Sequence, residues 1–266
     1  MHDTPSPSSV SLTVGRWAAW APGVTDRDAW QAWARGDAAI SGPVDPDVKF
    51  VAPMMRRRLS GLSRMAFRVA ADCLDGAGEN GNSPAFVFCS RYGEYARSFG
   101  ILGGFSSGDP VSAAAFSMSV HNTATSLYSI ETKDRSAATA MAGGEATLET
   151  GFLEAWSLLV NGAAPSVLLI YHDECLPDLY RDQATTVAHD AAVALLLKLP
   201  GSGGADDADG MGLTLEWSSN RPAASGAKAA PDPALEVLRL LIDGGGSFAL
   251  DAGRLVWTWK AGRVAD

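Results

Sequence analysis

The stretch at residues 135–156, RSAATAMAGGEATLETGFLEAW, limits the possible folds more than any other part of the chain. It predicts a buried strand of small residues, a tight turn at Gly143 and Gly144, and a long helix. In α/β proteins such a strand–turn–helix unit presents a nucleophile at the end of a buried strand. The residue at this turn is Met141, whose thioether has no proton to lose and cannot form a thioester. The stretch therefore predicts a nucleophile turn without its nucleophile.

Strand and helix signals alternate over the first 200 residues. The predicted strands are SVSLTVGRWAAW, AFVFCS, SAATAMA, PSVLLIYHDE and AAVALLLKL. The predicted helices are RDAWQAWARG, an apolar stripe starting at Ser60, GEYARSFGILGG ended by its paired glycines, residues 119–130, and EATLETGFLEAWSLLVNG. This alternation predicts an α/β fold with a mainly parallel or mixed sheet and helices on both faces.

The chain divides into three predicted parts. Residues 1–9 are polar and proline-rich and indicate a flexible tail. Residues 10–199 hold the alternating elements. Residues 200–266 begin with PGSGGADDADGMG, a linker or long loop, and continue with a strand LTLEWSS, a helix capped by Asp232 and a last strand RLVWTWK. We expect these last elements to complete the same sheet.

Composition limits the classes of partner. The net charge of −9 and the pI near 4.9 argue against nucleic acid or an anionic membrane as the main partner. Cys73, Cys89 and Cys175 are odd in number and lack paired spacing, which indicates reduced thiols and not a disulfide framework or a zinc site. No apolar run reaches the roughly 18 residues of a membrane span. We expect a cytoplasmic protein without a signal peptide or a membrane span.

Two positions suggest chemistry from residue type alone. His172 lies in YHDEC, beside Asp173 and Glu174, and could belong to a metal or Cys/His/Asp site; because adjacent strand residues point to opposite faces, we interpret it as the polar end of a strand and expect no metal. Cys89 ends a strand just before a helix, where a helix N-terminus can activate a thiol. A buried structural thiol is the other interpretation of Cys89.

An ordered series of motifs resembles the amino-terminal half of β-ketoacyl synthases, and more closely the short chain-length factors of aryl polyene and xanthomonadin-type pathways. It extends from APMMRRRLSGLSRMAFRVAADCL to FSMSVHNTATSLYSIETKDRSAATAMAGGEATLETGFLEAWSLL. The Thr-Ala-Cys elbow of those enzymes falls on Thr139, Ala140 and Met141, followed by the Gly–Gly turn and SVLLIYHDE in the family's order. The resemblance covers residues 10–199 and implies a truncated, thiolase-like fold.

The departures from the family pattern imply a loss of catalysis. In ketosynthases the elbow cysteine takes the acyl chain, and two later histidines drive decarboxylation and stabilise the developing charge. Here Met141 replaces the cysteine and no histidine follows His189. The resemblance therefore implies a pseudo-ketosynthase with no catalytic residue of its own and no cofactor.

The resemblance also implies partners, because the elbow strand and the helix before it form the two-fold interface of ketosynthases and border the neighbour's acyl tunnel. It implies a heterodimer with a catalytic β-ketoacyl synthase, an indirect link to acyl carrier protein, and a homodimer when the partner is missing. The implied tunnel and interface residues are Phe116, Met118, Ser119, His121, Asn122, Thr139 and Ala140, with Phe116 and Met118 as the chain-length stop.

Three further hypotheses stay open at the level of sequence. We expect the basic cluster Arg56, Arg57 and Arg58 to start a helix; it could dock a carrier protein, or could simply be solvated. The chain could be an independent acyl-thioester hydrolase or transferase using Cys89. It could also be a homodimeric scaffold.

Overall fold

The structure, a computed structural model, describes residues 8–43, 45–75, 83–108, 110–181, 188–202, 210–219 and 232–263. Most of the predicted tail with His2, and residues 203–209 of the predicted linker, lie outside these ranges. The described strands are β1 (Ser8–Trp20), β2 (Ala85–Cys89), β3 (Ala138–Met141), β4 (Val167–Asp173), β5 (Ala191–Lys198), β6 (Met211–Ser218), β7 (Gly246–Asp251) and β8 (Val256–Arg263). The described helices are α1 (Arg27–Ala34), α2 (Pro53–Arg56), α3 (Gly61–Leu74), α4 (Tyr95–Ser107), α5 (Ala113–Ser117), α6 (Thr123–Thr132), α7 (Thr147–Val160), α8 (Asp178–Arg181) and α9 (Pro233–Asp243).

These strands form one mixed sheet in the order β3-β2-β4-β5-β1-β6-β8-β7. Parallel pairing is confined to β2, which lies between β3 and β4. The other neighbours are antiparallel. Parallel strands of one sheet need a crossover connection, whereas antiparallel neighbours need only a loop. Helix α7 provides such a connection from β3 to β4, which lie on either side of β2. The predicted mixed α/β fold is confirmed.

Each face of the sheet carries its own apolar core. One core gathers residues of α1, α7 and α9, with Trp259, Phe152 and Leu169 at its centre. The other gathers residues of α3 and α6, with Phe67 and Ile170 fully buried. Helices therefore cover both faces, as the sequence predicts. Within the described ranges, no helix has the length and apolarity needed to cross a bilayer.

Local capping explains why several predicted helices begin where they do. The Ser60 hydroxyl accepts a hydrogen bond from Ser63 N (3.0 Å) at the start of α3. The Asp232 carboxylate accepts one from Ala234 N (2.9 Å) at the start of α9, with Pro233 in the first turn. Gly244 then ends α9 in the left-handed conformation, with φ at 77°.

The helix predicted at residues 119–130 is wrong in its start. Helix α6 begins only at Thr123, and a turn separates it from α5, which ends at Ser117. The Ser119 hydroxyl donates to Phe116 O (2.8 Å), and the Thr123 hydroxyl lies 3.0 Å from Met118 O and 2.8 Å from Val120 O. These side chains satisfy carbonyls that a continuous helix would use, and so they hold the chain in a turn.

Three other predictions also need correction. Helix α4 continues through Gly103 and Gly104 and ends at Gly108, whose φ of 77° closes it. The described residues of the last part of the chain form three strands and not two, because β7 begins directly at the glycines that end α9. The Arg56, Arg57 and Arg58 cluster does not begin a helix: Arg56 ends α2 and the other two follow it.

Candidate functional site

The elbow after β3 keeps the geometry that its sequence predicts. In the parallel register Met141 lies beside Cys89 of β2, and Ser90 N donates to Met141 O (3.2 Å). The chain then turns through Gly143 and Gly144 into a short 3₁₀ turn and α7. A Cβ at Gly143 would lie 2.9 Å from Ala146 O, and Gly144 has a φ of 61°. Both glycines are therefore required by the turn.

Met141 is the last residue of β3, the strand at one edge of the described sheet. Its side chain is half-buried and packs against the core that contains α7. Strand β3 has β2 as its neighbour and is an edge strand among the described residues, with Ala138 exposed and the three residues after it half-buried. An edge strand offers backbone groups to another chain. The nucleophile position is thus at the rim of this subunit.

A buried polar cluster holds the chain beside the elbow. The Asp173 carboxylate accepts hydrogen bonds from Ser90 Oγ (2.7 Å) and Arg91 N (3.0 Å). The Ser90 hydroxyl in turn accepts from Gly93 N (2.8 Å), and His121 Nε2 lies 2.8 Å from Ser90 O. Burial raises the pKa of Asp173 although these donors oppose the shift. The network fixes the ends of β2 and β4 against the start of α6.

His172 faces the second core and is not part of this network. Its ring is almost wholly buried and meets Phe88 edge to face at 5.9 Å. Burial lowers the pKa of His172 to about 4, and its Nδ1 atom is buried with no hydrogen-bond partner among the described residues. Across the described ranges, no group of three His, Cys, Asp or Glu side chains is arranged to hold a metal.

Cys89 lies in the interior of the molecule. It has no exposed surface, and Gly151 of α7 packs so closely against its Sγ that a side chain there would not fit. Burial, together with the nearby carboxyls of Asp173 and Glu149, raises the pKa of the Cys89 thiol well above its ordinary range. The thiolate is the nucleophilic form, and so this environment does not favour covalent chemistry at Cys89.

The predicted tunnel and interface residues lie on α5, on the turn before α6 and on β3. Phe116 is 64% exposed on α5, whereas Met118 is half-buried against the second core. Ser119 and His121 are half-buried and Asn122 is exposed. Thr139 and Ala140 are half-buried on β3, where the Thr139 hydroxyl donates to Glu154 Oε1 (3.3 Å). Helix α6, which follows the turn that holds Ser119, His121 and Asn122, contacts β3, the strand that holds Thr139 and Ala140.

Sequence reasoning missed an apolar surface next to these residues. Helix α4 buries none of its residues, yet it carries Leu102 and Phe105, which are 62% and 61% exposed. It packs against α5, which carries Phe116. We call Leu102, Phe105, Val111, Phe116 and Val120 the α4–α5 surface; all five are exposed. A helix that is apolar on several sides is typically buried. The apolar residues of α4 were therefore the sequence signal that a partner could cover this helix.

The arginine cluster is larger in space than in sequence. Arg57 and Arg58 are exposed, and Arg56 is half-buried. The Arg97 side chain of α4 donates to Arg58 O (3.3 Å), and that of Arg64 lies 3.5 Å from Arg56 O. Met54 beside them is 75% exposed. The structure thus forms a basic surface with an apolar residue within it.

Comparisons with known proteins give a consistent result. A family model described as β-ketoacyl synthase, N-terminal domain, matches residues 30–260. A chain of the ketosynthase ApeO in complex with its chain length factor ApeC, from Xenorhabdus doucetiae, matches with a TM-score of 0.75 and 26% identity over 94% of this chain and 99% of that one. No curated protein matches the chain.

Two more distant structures share the fold. The ishigamide ketosynthase/chain length factor matches with a TM-score of 0.70 and 14% identity, over 97% of this chain and 100% of that one. A β-ketoacyl synthase from Burkholderia phymatum matches with a TM-score of 0.53 and 14% identity, over 71% of this chain and 59% of that one. The thiolase-like fold and the ketosynthase-like, chain-length-factor resemblance drawn from the sequence are confirmed.

Proposed function

The chain belongs to the β-ketoacyl synthase family by its N-terminal domain, and from that premise we propose that it is a non-catalytic chain-length-factor subunit. In this proposal it pairs with a catalytic β-ketoacyl synthase in polyketide or fatty-acid-type biosynthesis. The observation that carries the proposal is the elbow: its turn is intact, but Met141 stands at the nucleophile position on an edge strand. A thioether cannot accept an acyl chain, and so the retained geometry serves contacts and not condensation.

The α4–α5 surface supports pairing with another subunit. Exposed apolar side chains on a helix with no buried residue leave α4 without a core in this chain. Covering such a patch removes apolar area from water, at roughly 25 cal/mol for each Å². Helix α6, which follows α5 in the chain, contacts β3, whose edge is open among the described residues. We infer that one partner covers both.

The similar complex of ApeO with ApeC supports a ketosynthase as that partner, because it contains a ketosynthase and a chain length factor. We also propose the type of pathway. The resemblance to aryl polyene chain-length factors favours a polyene acyl product. In such a pair, Phe116 and Met118 would bound the partner's acyl tunnel, with Ser119, His121, Asn122, Thr139 and Ala140 around them. The cytoplasmic location expected from the cysteines stays a prediction.

Carrier-protein docking at the basic surface is a separate part of the proposal. Arg56, Arg57 and Arg58 would attract an acidic carrier protein, and exposed Met54 would contact an apolar position on it. Arg97 and Arg64 brace the backbone beneath the cluster. The net charge of −9 opposes docking elsewhere on this subunit.

The test is co-expression with the ketosynthase of the same organism that makes the acyl product. We expect a 1:1 heterodimer by light scattering, condensation by the complex, and no acylation of the isolated chain by acyl-thioester substrates. Met141→Cys serves as a control: the thiol returns without the later histidines, and the isolated variant should still not condense. Elution of this chain as a monomer beside the ketosynthase contradicts the proposal, and a homodimer with no heterodimer supports the scaffold hypothesis instead.

A further inference from the structure

Glu149 is a buried carboxyl that the proposed function does not use. It lies in the first turn of α7, directly after the elbow, and has no exposed surface. Its Oε1 accepts a hydrogen bond from Trp259 Nε1 of β8 at 2.8 Å. Its Oε2 is buried with no hydrogen-bond partner among the described residues. A buried polar atom in this state calls for a physical explanation.

Trp259 connects the last part of the chain to the elbow helix. Its ring is fully buried and packs edge to face on Phe152, one turn after Glu149 on α7, at 4.9 Å. Strand β8 pairs with β6 and β7, and α9 packs on β7 and β8. The contact of Glu149 and Phe152 with Trp259 thus joins α7 to the unit formed by β6, β7, β8 and α9.

The titratable groups around Glu149 are acids. The carboxyl of Asp232, the N-cap residue of α9, adds to the pKa of Glu149, and the Glu149 carboxyl adds to the pKa of Tyr171 of β4 and of Cys89 of β2. The Asp173 carboxyl of β4 adds to the pKa of Tyr171, Cys89 and Asp232. Burial raises the pKa of Glu149 to about 7, and Asp232 adds to the rise, whereas the Trp259 hydrogen bond opposes it. A negative charge on Glu149 would cost free energy, because the interior has a low dielectric and the neighbouring acids cannot compensate the charge.

We propose that Glu149 is a proton-controlled latch between the elbow helix and the unit formed by β6, β7, β8 and α9. With Glu149 neutral, its carbonyl oxygen accepts from Trp259 and its other oxygen carries the proton, and α7 and β8 stay closely packed. Loss of that proton places a charge in the same enclosed space. The latch then opens, because water can reach the charge only if β8 moves away from α7.

Hydrogen exchange of β8 as a function of pH tests the latch. After correction for intrinsic exchange rates, we expect the protection of β8 amides in the wild-type chain to fall at least tenfold between pH 6 and pH 8. Glu149→Gln keeps an oxygen for Trp259 and cannot ionise, and so its protection should fall much less over this range than that of the wild type, with only the other buried acids contributing. The matched control is Asp232→Asn, which retains a capping side chain for α9 and should keep most of the wild-type pH dependence.

Two results would overturn the latch. One is a Glu149→Gln chain that loses protection with pH as the wild type does. The other needs no variant: carboxyl carbon NMR of the wild-type chain would show Glu149 titrating in the ordinary range of exposed carboxyls, near pH 4 to 5. Neither result bears on pairing with a ketosynthase, and the latch stands or falls apart from the proposed function.

Discussion

At the scale of single residues, Met141 shows how a side chain can fill a catalytic position without chemistry. Its flexible thioether suits an irregular gap, and it packs on the core of α7 while its backbone oxygen accepts from Ser90 N. The glycines after it are held by sterics, since Gly143 has Ala146 O close by and Gly144 needs a positive φ. The turn therefore persists for structural reasons once the nucleophile is gone.

Phe116 gives a residue-scale test of chain-length control. It is 64% exposed, and its removal should leave the fold intact because no core contact is lost. In the heterodimer, Phe116→Ala should deepen the tunnel and shift carrier-bound products toward longer chains by one elongation cycle or more, measured by mass spectrometry of the released acyl groups. Ser117→Ala, on the same exposed helix, is the control. Unchanged product lengths in Phe116→Ala would remove Phe116 from the stop.

At the scale of secondary-structure elements, α4 is the exception to the pattern of the fold. Helices α3, α7 and α9 each bury a continuous apolar side, whereas α4 buries none of its residues in this chain. Its contacts are with α5, with Tyr180 of α8 through the rings of Tyr95 and Phe99, and, through the hydrogen bond of Arg97 to Arg58 O, with the arginine cluster. We infer that a partner subunit covers α4 in an assembly.

Charged substitutions on α4 test that explanation. We expect Leu102→Asp and Phe105→Asp each to weaken the heterodimer at least tenfold, because each places a charge in a desolvated contact of a kind that often contributes more than 1 kcal/mol. The isolated chains should unfold at the wild-type temperature, since both side chains are exposed. Val160→Asp, at the end of α7 and 45% exposed, is the control and should pair normally. Full affinity in both α4 variants would place the interface elsewhere.

At the scale of the whole molecule, a single sheet joins the described residues of the two larger parts that the sequence suggests, residues 10–199 and 200–266. We propose that residues 10–199 form the ketosynthase-like unit and that residues 200–266 complete it, with residues 1–9 as a tail. Strand β1 lies at the junction, with β5 on one side and β6 on the other. The Glu149–Trp259 hydrogen bond adds a contact between the two parts on the face of the sheet that α1, α7 and α9 cover.

The buried acids predict how stability depends on pH. Burial raises the pKa of Glu149, Asp232 and Glu174 each to about 7, from ordinary values near 4. The folded chain therefore binds more protons than the unfolded chain between about pH 4 and pH 7, and its free energy of unfolding falls as pH rises through this window. Urea unfolding at pH 5 and pH 8 should show a loss of a few kcal/mol, with Glu149 alone contributing on the order of 3 kcal/mol. A stability that rises toward pH 8 would contradict these shifts.

The sequence by itself determined the features that depend on neighbours along the chain. The caps at Ser60 and Asp232, the elbow glycines, the buried strands and the missing nucleophile at Met141 all follow from periodicity, from hydrogen bonds within a few residues, or from residue type. The break between α5 and α6 also has a local cause, but a helix signal in the same residues concealed it.

Only the tertiary structure decided which side chains are covered. Glu149 has the same local signature as any acid in a helix's first turn, and it is buried because Trp259, 110 positions later, packs over it. Helix α4 resembles a core helix in sequence, yet its Leu102 and Phe105 stay exposed among the described residues, although α5 and Tyr180 of α8 contact other parts of it. Burial and the pKa shifts that follow from it depend on contacts between distant segments, and no pattern within a short stretch of sequence encodes them.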